Sequence, residues 1–309
     1  MTSHPRALSL LLPCCLALFA DAAFGQSLSI VKKGTNEFWI EAAAPADTRY
    51  RLQSSADLQN WMDITNDVGG QFEYRLDNAG VTARFFWLTP VPPILVVLLG
   101  DSTVMDCCGW GQALPAYAQV DVRVVNLAEP AYSTSVLLAS DQYPQMVTIK
   151  PDFVLVQFGR EDWGGCGGDP DRCKTTTREF GDNLRTIVQT VRGFNGTPIL
   201  ITPPVVRVFD TLGKVVPIYQ DYNAMMKIVA TELQTPLVDL NQMSMDLFNV
   251  LGDSGTADLF WDDHVHFTAK GAGLVAGLVV RALPNSLRPY FVAGTNTTHY
   301  TKEVPKQPN

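Results

Sequence analysis

The chain has 309 residues, 46% hydrophobic and 17% charged, enough for one sizeable packed core and a smaller module beside it. Its net charge of -8, with no basic run, argues against nucleic acid or an anionic membrane surface as a partner. Residues 1–25 read as a secretory signal. Arg6 precedes the apolar run from Leu8 to Phe19, and small residues gather around Ala22, Ala23 and Gly25. That run is too short to span a bilayer, and no later stretch is long enough. The expectation is a secreted or periplasmic protein without membrane insertion.

Cys14 and Cys15 leave with such a leader, and Cys107, Cys108, Cys166 and Cys173 remain. In an oxidising compartment an even number of cysteines implies disulfides. Cys166 and Cys173 bracket a loop rich in Gly, Asp and Pro and form the expected pair. Adjacent Cys107 and Cys108 can join each other only with strain, so crossed pairing to the other loop stays open. No C-x-x-C spacing supports zinc, and neither a metal nor a cofactor is expected.

Residues 26–92 alternate apolar and polar side chains without a helical period, as in Tyr50-Arg51-Leu52-Gln53 and Phe72-Glu73-Tyr74-Arg75-Leu76. Turn formers separate these runs, which predicts a small all-β sandwich. The stretch from Tyr50 to Trp61 resembles the fibronectin type III-like accessory modules of secreted bacterial proteins. Its aromatics are read as core rather than as a sugar platform. Pro90, Pro92 and Pro93 mark a linker.

From residue 93 to 284 the pattern changes to short continuous apolar runs alternating with helical periods. Strands are predicted at 94–99, 122–127, 153–158, 198–203 and 236–240, and helices near 134–147, 178–193, 218–233 and after Thr268. Such alternation makes a parallel five-stranded α/β sheet of flavodoxin-like type, with helices on both faces and ligands bound beyond the strands' carboxyl ends. Residues 285–309, with Pro, Asn and Lys, read as a disordered tail.

Gly100-Asp101-Ser102-Thr103 directly follows the apolar run Ile94–Leu99, and Asp263-His264-Val265-His266 lies near the far end of the α/β region. Histidine is scarce: His4 is in the leader and His299 in the tail, so a base for Ser102 has to come from His264 or His266. Asp263 stands three residues before His266, on the same side of a turn. It can then accept from one ring nitrogen while the other takes the serine proton, which gives Ser102, Asp263 and His266 as candidate catalytic residues. His264 does not share that geometry.

These motifs resemble those of the SGNH (GDSL-type) hydrolases, within them the rhamnogalacturonan acetylesterase-like group. The matching stretches are Gly100–Val104 with Gly109-Trp110-Gly111, Asn126–Ser133, Lys150–Gly159 and Asp263–Gly271. The resemblance implies an acyl-serine esterase with Ser102 as nucleophile, His266 as base and Asp263 as its orienting partner. It also implies an oxyanion hole built from the amide of Ser102, the amide of Ala131 where the family has glycine, and Glu161 where the family keeps asparagine. An ionised Glu161 only accepts hydrogen bonds and opposes the charge that develops on the substrate.

The expected substrate is an acetylated polysaccharide of pectin, rhamnogalacturonan or xylan type, or a small acyl ester. Gly109-Trp110-Gly111 and the loop with Arg172 are read as lining an open, polar cleft. The alternatives are a catalytically weak carbohydrate-binding protein with a degraded hole, and a lipid or short-chain esterase.

Overall fold

A computed structural model describes residues 8–10, 15–19, 26–34, 37–75, 83–164 and 173–292. The chain divides into two compact units, residues 1–93 and 94–309. In the first unit, strands β1 (Leu8–Leu10) and β2 (Cys15–Phe19), from the stretch read as a leader, pair with each other, and β2 runs parallel to β6 (Ala83–Pro90). β3 (Ser27–Gly34), β4 (Glu37–Ser55) and β5 (Met62–Arg75) complete a six-stranded, mostly antiparallel network.

β4 joins it all together. Its first half pairs with β3 and its second half with β6, while β5 runs along both, and its register with β5 shifts between Ala44 and Arg49. Alternate residues Ile40, Ala42, Tyr50, Leu52, Phe86 and Leu88 point inward and form a small core, as the two-residue period dictates.

The second unit is built on β7 (Ile94–Gly100), β8 (Val122–Asn126), β9 (Phe153–Gln157), β10 (Thr197–Ile201) and the short β11 (Leu237–Val238). All neighbours are parallel and the spatial order is β11-β10-β9-β7-β8. This is the doubly wound order of flavodoxin-like sheets, whose switch point lies between the first and third strands, here β7 and β9.

The central strand explains the continuous apolar runs. Val96 and Leu98 enter one core cluster and Val97 and Leu99 the other, and all four are buried. A strand covered on both faces has no solvent side to make polar.

Helices α1 (Thr134–Leu138), α2 (Gln142–Ile149), α3 (Arg160–Trp163), α4 (Thr177–Gly193), α5 (Gln220–Glu232), α6 (Leu240–Thr256) and α7 (Ala269–Ala282) connect and cover these strands. α4 buries Phe180, Leu184, Ile187, Val188 and Val191 in one cluster, and α7 buries Ala272, Val275, Ala276 and Val279 in the other. Both follow the three-to-four-residue spacing of a helix face.

The expected helix at 134–147 is broken into α1 and α2, because Ser133 caps α1 and the chain turns at Ala139–Asp141. α6 was not expected. The expectation of a disordered tail from residue 285 is corrected for residues 285–292. Leu287 and Phe291 are buried, and Phe291 forms a β-bridge with Ala118. Apolar side chains at those two positions outweigh the Pro and Asn around them. Residues 293–309 lie outside the described residues.

Candidate active site

Gly100 closes β7 opposite Gln157, and Gln157 pairs in turn with Ile201, so the loops after β7, β9 and β10 all leave the same carboxyl edge of the sheet. A β-carbon on Gly100 would come within 2.5 Å of Val104 Cγ2, so only glycine lets the chain fold back here. The turn is closed by the Val104 amide donating to the Asp101 carbonyl at 3.0 Å.

Ser102 sits at its crest, 7% exposed. Beneath it runs a buried line of hydrogen bonds in one direction. Trp110 Nε1 donates to Gln157 Oε1 at 2.6 Å, Gln157 Nε2 to Thr103 Oγ1 at 2.7 Å, and Thr103 Oγ1 to Asp101 Oδ1 at 2.6 Å. Burial pushes the Asp101 carboxyl above the usual range, against the pull of the Arg160 charge and the Thr103 bonds. Asn126 Nδ2 adds a bond to the Val104 carbonyl at 2.8 Å.

Trp110 is fully buried, so it does not line a cleft. That expectation is corrected: its indole packs in the core and its N–H holds Gln157. Arg172 lies outside the described residues.

The second part of the site arrives from the other end of the unit. The Phe267 amide donates to the Cys108 carbonyl at 2.8 Å, which stitches the segment after His266 to the serine loop. His266 Nε2 lies 2.8 Å from Ser102 Oγ, and His266 Nδ1 lies 2.6 Å from Asp263 Oδ2. Asp263 Oδ1 also accepts from the amides of Val265 and His266, both at 2.9 Å. Burial alone would raise the Asp263 carboxyl. The bonds from the His266 ring, the His266 amide and the Val265 amide outweigh it and bring its pKa down to about 2.

The carboxylate therefore stays ionised and fixes the ring with its second nitrogen toward the serine. Such an arrangement can take the Ser102 proton and return it to a leaving group. The ring of His264 meets Arg207 instead.

Ala131 has φ of +59°, the left-handed conformation in which glycine is the natural residue. Gly159 leaves β9 with φ of +124° and opens α3. In α3, Glu161 is 1% exposed; its Oε1 pairs with Arg160 Nη1, while Oε2 is buried without a hydrogen-bond partner among the described residues. Asp162 is also buried. Its Oδ1 accepts from Thr134 Oγ1 at 2.5 Å and Thr175 Oγ1 at 2.9 Å, which ties α1 to α3 and to the segment before α4.

The sulfurs of adjacent Cys107 and Cys108 lie next to each other. Cys166 lies outside the described residues, and so does the expected bridge from it to Cys173. Cys173 is buried with its sulfur 3.2 Å from the Ala131 carbonyl oxygen. Among the described residues, no group of His, Cys, Asp and Glu could hold a metal ion, and no helix is long and apolar enough to cross a membrane.

The sheet order and the serine–histidine–carboxylate line define a flavodoxin-like α/β protein with the parts of a serine hydrolase. The chain belongs to the GDSL-like lipase/acylhydrolase family, whose profile matches residues 98–274, and is a carboxylic ester hydrolase of that family. It is 30% identical over 214 residues to the rhamnogalacturonan acetylesterase RhgT of Bacillus subtilis, covering 62% of this chain and 90% of that protein. It is 28% identical over 201 residues to the probable rhamnogalacturonan acetylesterase YesY of the same organism, covering 61% of this chain and 91% of that one.

Among solved structures, YxiM of Bacillus subtilis superposes with a TM-score of 0.57 at 22% identity, covering 85% of this chain and 91% of its own. Axe2, an acetylxylan esterase from Geobacillus stearothermophilus, superposes with a TM-score of 0.51 at 19% identity, covering 62% and 94%. These two likenesses concern the fold.

Proposed function

We propose that the chain is an exported carbohydrate O-acetylesterase acting through an acyl-serine intermediate. One observation carries this reading: the unbroken line from Asp263 through His266 to Ser102 at the sheet's switch point. Ser102 Oγ attacks the acetyl carbonyl while His266 Nε2 takes its proton. His266 then returns the proton to the departing sugar oxygen, leaving acetyl-Ser102. Water, deprotonated by the same imidazole, attacks that ester and releases acetate and the free serine. Asp263 orients the ring and stabilises the imidazolium.

The amides of Ser102 and Ala131 are assigned to the oxyanion, with Glu161 in the place of the third donor. The relatives named rhamnogalacturonan acetylesterase support a polysaccharide substrate. The apolar run after Arg6 supports export, and a Cys166–Cys173 bridge belongs to that reading.

Purified protein and its Ser102→Ala variant should be compared on p-nitrophenyl acetate, and for acetate release from acetylated pectins and xylans. The expectation is acetate release that Ser102→Ala abolishes. Equal rates from both proteins would remove Ser102 as the nucleophile, and preference for long acyl chains would replace the carbohydrate reading. Peptide mapping of secreted material without reductant should find Cys166 linked to Cys173; free thiols at both would count against export.

A second reading has its own support. Glu161 is buried and anchored by Arg160, and in the place of the third donor its carboxylate would oppose the oxyanion, which favours a slow enzyme that binds carbohydrate better than it turns it over. A kcat on acetylated oligosaccharides far below that on p-nitrophenyl acetate, with tight binding of the same oligosaccharides, would decide for it.

A further inference from the structure

The turn that carries Asp263 and His266 is held by a residue that takes no part in the serine–histidine–aspartate line. His264 stands inside that turn with φ of +64°, a left-handed conformation that residues with a β-carbon avoid. The turn brings the Asp263 carboxylate first to the Val265 and His266 amides and then to the His266 ring.

Two contacts from one residue hold His264 there. The Arg207 amide donates to the His264 carbonyl at 2.8 Å, and Arg207 Nη1 lies 3.2 Å from His264 Nε2. A guanidinium can only donate, so in this contact His264 Nε2 is the acceptor.

The other guanidinium nitrogens reach the C-terminal end of α6. Nη2 pairs with Asp253 Oδ1 at 2.6 Å and donates to the Asp253 carbonyl at 3.1 Å, and Nε donates to Thr256 Oγ1 at 3.3 Å. The Arg207 side chain is 13% exposed, while the Asp253 carboxylate and the His264 ring that it meets face solvent. The main chain at Arg207 belongs to the loop after β10. One side chain thus ties three segments together.

We propose that Arg207 is a positioning residue for ester hydrolysis, holding His264 through ring and backbone so that Asp263 meets His266 at the working angle. This rests on the assignment of Ser102, His266 and Asp263 made above. Arg207 touches neither the reacting atoms nor the Asp263–His266 pair. Its effect passes through the backbone of the turn, and small misplacements of catalytic groups carry large rate penalties.

The test compares wild type with Arg207→Met, Arg207→Lys, His264→Ala, His264→Gln and the Arg207→Met/His264→Ala double variant. Rates are measured on p-nitrophenyl acetate. Proton NMR is recorded in a Ser102→Ala background, following the low-field signal of the His266–Asp263 hydrogen bond. Arg207→Met and His264→Ala should each lower kcat about ten- to a hundredfold with KM within about threefold. His264→Gln, whose amide oxygen stands where Nε2 stood, should recover most of what His264→Ala loses.

The double variant should be no worse than the poorer single one, because both break the same contact. The low-field signal should shift or broaden in Arg207→Met. Wild-type kcat in Arg207→Met overturns the proposal. So does a fall in kcat with that signal unchanged, which would make Arg207 a plain stability residue. If Arg207→Met does not fold, Arg207→Lys, which keeps the charge but not the fork, takes its place in both measurements. The NMR arm needs no turnover, so it decides the role of Arg207 even if wild type hydrolyses nothing.

Discussion

If Glu161 takes the third place in the oxyanion hole, as proposed, it limits the rate. Its carboxylate is buried, one oxygen held by Arg160 and the other without a partner among the described residues. Glu161→Asn should raise kcat on small acetyl esters, by up to about a hundredfold if a lost donor is restored, with a smaller change in KM. A kcat that stays level or falls would mean that Glu161 itself donates as a protonated acid, or lies outside the hole.

Asp162 beside it sets a pH dependence. Burial, only partly offset by the Thr134 and Thr175 bonds, raises its pKa from 3.8 to about 6. The native state therefore holds this proton more tightly than the unfolded chain. The group is stabilising below about pH 4, and its contribution falls as pH rises through about 6, by on the order of 3 kcal/mol. Urea unfolding from acid to neutral pH should show that decline, and Asp162→Asn should flatten it.

That Ser102, Asp263 and His266 come together was legible because reactive polar residues stood at a strand end and in a turn, with few histidines to choose from. Gln157 left a fainter trace, a polar side chain closing an apolar strand. Arg207 left none, since its partners lie 46 to 57 residues away in the chain.

Elements follow from how many of their faces are buried. Leu98, in the middle of β7 and wholly enclosed, should cost about 2–5 kcal/mol as Leu98→Ala, seen as a lower denaturation midpoint with unchanged slope. At the start of α4, Thr176 accepts from the Glu179 amide while the Glu179 side chain reaches back to the Thr176 amide. Thr176→Ala should lose about 1 kcal/mol by the same measurement.

β7 and β9 were legible because runs of four or more apolar residues, bounded by turn formers, fit nothing else so well. α6 was not. It follows the two-residue β11 with only Asp239 between them, and Asp239 is at once the end of the strand segment and the cap whose side chain accepts from Gln242. A single polar residue serving two elements leaves no visible gap in the pattern. The helix broken at Ala139 hid for the opposite reason, since both halves keep an apolar face and only the Ser133 cap marks a start.

At the scale of the whole molecule, the net charge of -8 governs encounter with substrate. An acidic polysaccharide is repelled at long range, and salt screens that repulsion over roughly 10 Å. KM on acetylated pectin should therefore fall as salt is raised, while KM on neutral acetylxylan stays level. Opposite trends would point to a cationic binding face.

The division near the prolines and the parallel sheet were both legible, because composition changes sharply at Pro93. The packing of residues 285–292 was not, since Leu287 and Phe291 sit among residues typical of a tail. Their packing bears on synthesis. The Val292 amide bonds the Tyr117 carbonyl, and Phe291 bridges to Ala118, in the segment that follows the serine loop. A growing polypeptide cannot close that latch until Val292 has emerged, and Ser102 waits for His266 across 164 positions. Every strand of the sheet is thus synthesised before His266, so the serine's partner is the later piece to appear.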